Sequence, residues 1–285
     1  MTPHKFPPVA TTALDIAYFR HRETQRGANA LICDPYSAQV LQAYGHTVDY
    51  PAEQETKITS AIAIRTHYID TTIKQALACT NSPAQIVIAG SGFDTRAARL
   101  GLLADGHTVF EIDLPEIINA KKKIFNGSNH AATAFGSSHW HAIAADLTTD
   151  NSWWDDLTSH GFRPQCPTIC VVEGLFYYLP PAAATRVLSH FSAAALKAIL
   201  IADHMGPASR NGTRNRGATR RLNSLGASLT SAISSPAEFL RDSHWACIHS
   251  TTIARYGASI SRPLHYTELP GNEAAWLFTA QVKTG

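Results

Sequence analysis

Five short apolar runs in the chain each end in residues that can contact a ligand. The runs occupy residues 85–89, 108–112, 141–145, 168–172 and 198–202. The first is followed by the turn Gly90-Ser91-Gly92, and the others are followed by Asp113, Asp146, Glu173 and Asp203. Glycines let a backbone approach a ligand closely because no Cβ stands in the way, and carboxylates accept hydrogen bonds from hydroxyl and amino groups. Together these residue types can bind a nucleoside.

Two of the acids have positions that suit a nucleoside in more detail. Asp113 lies 21 residues after Gly92, where an acid can accept bonds from both hydroxyls of a ribose. Asp146 can accept a bond from an adenine amino group while Leu147 packs near the ring. Thr95 stands where a dinucleotide-binding turn needs its third glycine, which favours a ligand without a diphosphate. Each acid can alternatively cap the helix that follows it.

The elements that must position these residues follow from the spacing of the apolar runs. Runs that alternate with helix-like segments are typical of βαβ units and a parallel sheet, and such sheets bind ligands at the carboxyl ends of their strands. Two later runs, 246–251 and 276–282, complete a seven-stranded sheet, with the last strand antiparallel. We therefore predict an α/β fold with a doubly wound, mostly parallel, Rossmann-like sheet, and residues 81–285 as the ligand-binding domain.

The N-terminal 80 residues are predicted to form a helical cap packed on that domain. Helices are expected over residues 12–26, from the pair Asp34-Pro35 to residue 44, and over 53–78. In the third helix Arg65 lies in the middle of an apolar stripe, where an unpaired guanidinium is costly. Its partner is either a carboxylate of the ligand or one of the acids that follow the strands.

The segment 206–237, which precedes the last two strands, is rich in arginine and contains no acid. Its arginines are Arg210, Arg214, Arg216, Arg220 and Arg221. The segment is expected to be a helical insertion, either a lid that draws in an anionic substrate or a solvated surface helix.

Composition narrows the class of protein. The formal charge is only +2, which favours neither a nucleic-acid partner nor an acidic tail. No apolar stretch has the length of a signal peptide or a membrane span, so we expect a cytoplasmic protein without a membrane partner. The five cysteines are scattered and odd in number, which indicates reduced thiols and no metal site. The oligomeric state is left open.

A set of motifs, spread over nearly the whole chain, resembles the leucine carboxyl methyltransferase family. These motifs are Thr12-Ala13-Leu14 with Arg20-His21-Arg22-Glu23, Asp34-Pro35, Arg65, Gly90-Ser91-Gly92-Phe93-Asp94-Thr95-Arg96 with Arg99-Leu100, Glu111-Ile112-Asp113-Leu114-Pro115, Asp146-Leu147, and Glu173-Gly174-Leu175 with Tyr178-Leu179. The resemblance implies the class I methyltransferase fold, S-adenosylmethionine as cofactor, and the bacterial branch, whose members include methyltransferases acting on polyketides and other small molecules.

The same resemblance implies a role for each cofactor-binding residue. Arg65 corresponds to the ligand of the methionyl carboxylate, Gly90 and the turn that includes Gly92 line the methionine moiety, and Glu173 lies beside its amino group. Asp113 binds the ribose. Asp146 and Leu147 frame the adenine.

The expected reaction is O-methylation of a small, anionic metabolite, at a carboxylate or an acidic hydroxyl. A carboxylate is already ionised and needs positioning more than a base, whereas a hydroxyl benefits from one. Candidate bases are His204, Tyr177 and Tyr178. Candidate substrate contacts are Arg20, Tyr178 and His204. His204 can equally be a structural histidine, Arg20 a solvated residue and a tyrosine a core residue.

Two other functions compete with this interpretation. A nucleotide-sugar or nicotinamide-dependent oxidoreductase shares the glycine turn, but the missing third glycine and the Glu173 motif disfavour it. A non-catalytic cofactor-binding regulator needs only the binding residues. Cofactor binding and turnover on a panel of acids distinguish these alternatives.

Overall fold

The computed structural model describes residues 8–125, 134–149, 152–194, 197–210, 229–266, 268, 271 and 273–283. Its strands are β1 (Gln85–Ala89), β2 (Thr108–Asp113), β3 (Trp140–Ala144), β4 (Thr168–Val172), β5 (Ala198–Met205), β6 (Trp245–Thr252) and β7 (Ala275–Val282). They form a seven-stranded sheet in the order β3-β2-β1-β4-β5-β7-β6. This order confirms the predicted doubly wound α/β fold.

Helices surround the sheet and precede it in the chain. They are α1 (Pro8–Thr24), α2 (Ser37–Tyr44), α3 (Ala52–Ala78), α4 (Arg96–Arg99), α5 (Pro115–Phe125), α6 (Ser152–Ser159), α7 (Pro181–Ala194), α8 (Pro207–Arg210), α9 (Pro236–Phe239) and α10 (Ile253–Ser259). Short 3₁₀ turns occupy Gly27–Asn29 and Phe176–Tyr178. No helix among the described residues has an apolar stretch long enough to cross a bilayer.

The direction of the strands brings the predicted ligand residues together. Strands β3, β2, β1, β4 and β5 are parallel, so their carboxyl ends meet at one edge of the sheet. β1 lies in the middle and pairs with both β2 and β4. The chain crosses over between β1 and β4, and the crevice at this topological switch is where such sheets bind ligands.

Two hydrophobic cores, one on each face of the sheet, hold these strands in place. Val87 and Ala89 face one core, whereas Ile86 and Ile88 face the other. Because side chains alternate along a strand, a strand covered on both faces is apolar throughout. Every residue of β1 is accordingly buried.

The N-terminal helices pack on one of these cores. Leu14 and Ala17 of α1 are buried there together with Ile64, Ile69 and Ile73 of α3. A Cβ built on Gly92 would lie 3.2 Å from the Cβ of Ala13, so α1 covers the turn after β1 closely. The division into a helical cap of residues 1–80 and a binding domain of residues 81–285, together one structural unit, remains a proposal.

The structure differs from the sequence prediction in the length of β5, and it describes only part of the predicted insertion. β5 is three residues longer than its apolar run, because Asp203, His204 and Met205 pair with the antiparallel β7. Of the predicted insertion 206–237, residues 211–228, with Arg214, Arg216, Arg220 and Arg221, lie outside the described residues. The steering role of these arginines stays a prediction.

Candidate active site

A cavity of about 990 Å³ opens at the carboxyl ends of the parallel strands. Its walls contain all seven residues predicted to bind the cofactor: Arg65, Gly90, Gly92, Asp113, Asp146, Leu147 and Glu173. Ligand pockets typically have volumes of roughly 300–1,000 Å³. This cavity is at the upper end of that range, which provides space for a cofactor and an acceptor together.

The turn after β1 forms the floor of the cavity. Gly90 and Gly92 have φ angles of 65° and 51°, in the left-handed region that favours glycine. A Cβ on Gly90 would lie 2.9 Å from Cδ1 of Leu175, closer than packed carbons approach. The positive φ angle favours glycine at this position, and a side chain there would also displace the Leu175 side chain.

Asp113 at the end of β2 fixes the turn from the other side. Its Oδ2 accepts a bond of 2.6 Å from the backbone N–H of Gly92, and its Oδ1 accepts one of 2.7 Å from the N–H of Leu114. Burial raises the pKa of this carboxyl above its ordinary value, although these two bonds oppose the change. Each oxygen keeps a second lone pair, so the carboxylate can still accept bonds from ribose hydroxyls.

The end of β3 supplies the pair expected to frame the adenine. Oδ1 of Asp146 accepts bonds of 2.8 Å and 2.7 Å from the backbone N–H and the hydroxyl of Thr148. These bonds orient the carboxylate within a turn, and Asp146 does not cap the next helix, which begins only at Ser152. Leu147 is buried and lines the cavity beside it.

Arg65 forms ion pairs with two of the acids at the strand ends. Its Nε donates to Oε1 of Glu173 at 2.8 Å, and its Nη1 lies 3.4 Å from Oδ2 of Asp203 and 3.3 Å from the hydroxyl of Tyr177. This is the buried ion pair that the sequence left open as an alternative. Nη2 takes part in none of these bonds, so the structure is compatible with a ligand carboxylate there as well.

A second arginine, Arg96 of α4, extends the network below the turn. Its Nε donates to Oδ1 of Asp70 at 2.7 Å, Nη1 contacts Asp94, and Nη2 lies 2.6 Å from Oε2 of Glu173 without hydrogen-bond alignment. Arg99 adds two bonds to Asp70, of 2.5 Å and 2.9 Å. We define these seven side chains as the buried charge network: Arg65, Asp70, Asp94, Arg96, Arg99, Glu173 and Asp203.

The pKa values in the buried charge network follow from the balance between burial and ion pairing. Burial would raise the pKa of Glu173, but Arg96 and Arg65 outweigh it and hold the pKa below its ordinary value. Burial raises the pKa of Asp203, and neither Arg65 nor the N–H of Gly174, 2.6 Å from its Oδ1, compensates fully. Glu173 is therefore the firmly ionised partner of both arginines.

Sequence reasoning found Arg65, Glu173 and Asp203 but missed the other members of this network. Asp94 and Arg96 were quoted as parts of a motif without a role, and Asp70 was not considered. A signal was available, because Asp70 lies five residues after Arg65 on the same helix, and its carboxylate also needs a partner when buried.

The N-terminal candidate Arg20 is buried instead of solvated. Its Nε donates to Oδ2 of Asp34 at 2.8 Å and its Nη2 donates to the carbonyl of Phe93 at 2.5 Å. Arg20 also lines the cavity. Its charge is neutralised by Asp34, so its clearest task is to attach α1 to the turn after β1.

The predicted bases differ in their access to the cavity. The ring of His204 packs beside Phe176 and Phe239, its Nδ1 bonds the carbonyl of Met205 at 3.1 Å, and it is absent from the described cavity wall. Alternation along β5 explains this, because Asp203 and Met205 face the cavity and His204 faces the opposite side. This placement argues against His204 as the base and favours the structural role.

Both tyrosines line the cavity, but neither has the properties of a base. Burial raises the pKa of Tyr178 to about 12, and burial also raises that of Tyr177 well above its ordinary value. Tyr177 is engaged by Arg65. At neutral pH both hydroxyls keep their protons and can donate hydrogen bonds to a ligand.

Comparison with known proteins identifies the family of this chain. The model of the leucine carboxyl methyltransferase family matches residues 13–192, more than half of the chain and the part that contains all seven residues predicted to bind the cofactor. The chain belongs to the leucine carboxyl methyltransferase family. The confirmed cofactor is S-adenosylmethionine, and the chain is a methyltransferase that depends on it.

Two curated relatives of this leucine carboxyl methyltransferase family member carry the same assignment. A relative from Saccharopolyspora erythraea, assigned as an S-adenosyl-L-methionine-dependent methyltransferase, is 35% identical over 187 residues, which cover 64% of this chain and 62% of the relative. A relative from Mycolicibacterium vanbaalenii with the same assignment is 33% identical over 236 residues, or 77% of this chain and 75% of the relative. The acceptor is not specified by these similarities.

Solved structures show the same fold at low sequence identity. A DUF574 family protein from Streptomyces avermitilis is similar with a TM-score of 0.63 and 11% identity, over 95% of this chain and 97% of that one. A protein from Thermobifida fusca assigned as a methyltransferase has a TM-score of 0.54 and 13% identity over the same shares. These neighbours support the methyltransferase fold of the family member and no more.

The part of the cavity wall that the cofactor residues do not account for includes an apolar area. Ile58 and Ile62 of α3 line it half-buried, and Phe19, Ile253 and Leu264 line it from other elements. The predicted apolar stripe of α3 is thus divided, since Ile69 and Ile73 enter the core. The methyltransferase therefore presents an apolar surface to whatever shares the cavity with its cofactor.

Proposed function

We propose that this methyltransferase transfers the methyl group to an oxygen of an apolar small molecule, at a carboxylate or an acidic hydroxyl. The observation that carries the proposal is the large, mostly apolar cavity at the strand ends, whose wall includes many residues besides those predicted to bind the cofactor. A concave, mostly apolar surface is typical of small-molecule sites. Displacement at a sulfonium also benefits from the exclusion of water.

The cofactor is proposed to lie along the turn after β1, with its ribose at Asp113 and its adenine at Asp146 and Leu147. The close contact around Gly90 supports this, because a side chain there would fill the space. Arg65, with Nη2 outside its internal bonds, is suited to the methionyl carboxylate, and Glu173 to the amino group. When bound, S-adenosylmethionine supplies the activated methyl group.

Substitution of Asp113 tests this cofactor site. We expect Asp113→Ala to weaken S-adenosylmethionine binding by about tenfold or more, because charge-assisted bonds to the ribose are lost. Isothermal titration calorimetry measures the affinity, and Asp105→Ala, which removes an exposed acid outside the cavity, is the matched control. Unchanged affinity in a folded Asp113→Ala protein would remove Asp113 from the site.

Arg65→Ala is expected to weaken binding similarly and also to destabilise the fold. Its removal leaves Glu173 and Asp203 buried without their shared cation. The affinities of wild type and Arg65→Ala are therefore compared without denaturant, at a temperature at which both proteins are folded.

Turnover separates an enzyme from a non-catalytic regulator. The proposal predicts formation of S-adenosylhomocysteine with at least some members of a panel of apolar carboxylic acids and phenols. Tight cofactor binding without turnover on any of them would favour the regulator.

A further inference from the structure

The chain that follows α10 forms part of the cavity wall. Leu264 is half-buried, lines the cavity and packs against the core that α1 and α3 share with the sheet. His265 and Tyr266 line the cavity beside it and are exposed. We define residues 262–266, which form neither helix nor strand, as the wall segment. It lies beyond residue 192, where the match to the family model ends, so it is separate in sequence from the seven cofactor residues.

A Schellman turn at the end of α10 sets the direction in which the wall segment begins. The N–H of Arg262 donates to the carbonyl of Gly257 at 2.7 Å, and the N–H of Ser261 donates to that of Ala258 at 3.2 Å. In this motif the residue with a positive φ angle is usually glycine. Ser261 has a φ angle of 58°, which is unfavourable for a residue with a Cβ. Contacts from the surroundings must therefore hold the turn in place.

The side chain of Arg262 supplies such contacts. Its Nη2 donates to Oε1 of Glu23 at 2.6 Å, and its Nη1 donates to the carbonyl of Asn29 at 3.0 Å. The Glu23 side chain is fully buried and that of Arg262 is 18% exposed, so water competes little for this pair. The guanidinium thus joins the wall segment to α1 and to the 3₁₀ turn that follows α1.

The Glu23 carboxylate is itself held by the chain around it. Its Oε1 also accepts a bond of 2.8 Å from the N–H of Leu31, in the connection toward α2. Arg26 lies 3.7 Å from its Oε2 and is 40% exposed, so Arg262 is the closer and better enclosed cation. Glu23 also ends the sequence motif that begins at Arg20.

α1 connects the two sides of the cavity through these residues. Arg20 donates to the carbonyl of Phe93 in the turn after β1, and Glu23, three residues later, accepts from Arg262. Residues three apart lie on the same side of a helix. The position of the wall segment is therefore fixed, through α1, relative to the glycine turn that is proposed to hold the cofactor.

We infer that Arg262 and Glu23 are positioning residues for the methyl acceptor, whose ion pair holds Leu264 and the rest of the wall segment against it. The inference rests on the proposed apolar acceptor and names residues that determine its recognition. Arg262 and Glu23 themselves stand outside the described cavity wall, so they act on the acceptor through Leu264.

Substitution of the pair should separate acceptor binding from cofactor binding. The probe is 2-naphthol, an apolar molecule with an acidic hydroxyl, which is titrated by fluorescence into protein saturated with S-adenosylhomocysteine. Arg262→Gln and Glu23→Gln should each weaken 2-naphthol binding by about fivefold or more, because the wall is no longer held. Leu264→Ala should weaken it by a similar factor, because the apolar contact is lost. Calorimetry should find the affinity for S-adenosylhomocysteine within about twofold of wild type, since the cofactor residues are untouched.

Three further variants distinguish positioning from a general loss of stability. Val187→Ala truncates a buried side chain in the core on the other face of the sheet, so it should lower the Tm and leave 2-naphthol binding unchanged. The double variant Glu23→Gln/Arg262→Gln should bind the probe as weakly as either single variant, because both remove the same ion pair. Arg262→Lys retains the charge without the planar fork, so its affinity should lie between wild type and Arg262→Gln.

The inference is overturned if Arg262→Gln or Glu23→Gln binds 2-naphthol as wild type does, or if probe and cofactor are weakened by the same factor. Additive effects in the double variant overturn it too, as does an equal loss of probe binding in Val187→Ala. Each of these outcomes leaves the proposed function in place. A wild-type protein that binds S-adenosylhomocysteine but not 2-naphthol contradicts the proposed apolar acceptor, and the inference with it.

Discussion

At the scale of single residues, the site is governed by charges that are buried together. The buried charge network contains three arginines and four acids, so one negative charge is in excess before any ligand binds. The raised pKa of Asp203, caused first by burial, is consistent with that excess. A ligand ammonium group placed among these acids would restore the balance.

Removal of Arg96 should be the most damaging single change in this network. Arg96→Met is expected to lower the free energy of unfolding by about 3–5 kcal/mol, because Asp70, Asp94 and Glu173 lose a buried cation. Urea denaturation followed by circular dichroism measures the change. Arg241→Met removes an exposed arginine paired with Glu238 and should cost less than about 1 kcal/mol. Equal effects in the two variants would contradict the structural importance of the network.

The site residues that could be predicted from the sequence are those that stand out in a local sequence pattern. Arg65 interrupts an apolar stripe, and Asp113 ends a strand at a fixed distance from the glycine turn. Asp70 carries a weaker signal, its place on the helix of Arg65, and its partners Arg96 and Arg99 approach from a distant part of the chain. For His204 the sequence left a base and a structural histidine open, since the apolar run stopped before it and gave no sign that the strand continues.

At the scale of elements, strands buried on both faces could be predicted from the sequence, whereas a strand extended by pairing with a distant segment could not. β1 and β4 begin and end at the predicted residues, because strands buried on both faces are continuous apolar runs. β5 was predicted too short, since its last three residues owe their extended conformation to pairing with β7. Pairing between distant segments cannot be read from a local pattern.

Gly90→Ala tests whether the turn depends on this glycine for space as well as for conformation. We expect greater destabilisation and weaker cofactor binding than in Gly45→Ala. Both glycines have positive φ angles, 65° and 57°, so both variants bear the conformational cost of about 1 kcal/mol. Only at Gly90 does the new methyl group meet a neighbour, at 2.9 Å from Leu175. Thermal unfolding and calorimetry of the two variants should differ accordingly, and identical behaviour would count against a crowded turn.

At the scale of the whole molecule, stability should depend on pH through His204. Burial lowers the pKa of this histidine from its ordinary 6.5 to about 4. Between these values the unfolded chain binds a proton that the folded protein does not, so stability is retained above about pH 6.5 and is lost as the pH falls toward 4. At about 1.4 kcal/mol per pH unit, the loss is on the order of 3 kcal/mol.

The variant His204→Phe should weaken this dependence, because phenylalanine fits the aromatic surroundings but does not titrate. Urea unfolding is measured for wild type and variant at several pH values over that range. The exposed His139, replaced by glutamine, serves as the control and should leave the pH dependence as it is in wild type. A wild-type profile that His204→Phe does not alter would assign the acid sensitivity to other groups.

The place of β7 between β5 and β6 has a consequence for the order in which the sheet can be completed during synthesis. β6 precedes β7 in the chain but borders only β7, so it has no neighbour to join when it leaves the ribosome. Until residues 275–282 have emerged, the free edge of β5 and the unattached β6 both expose unpaired backbone groups. The nascent protein therefore carries two incomplete strand edges until translation reaches this segment, and a chaperone that recognises extended apolar chain would meet it in that interval.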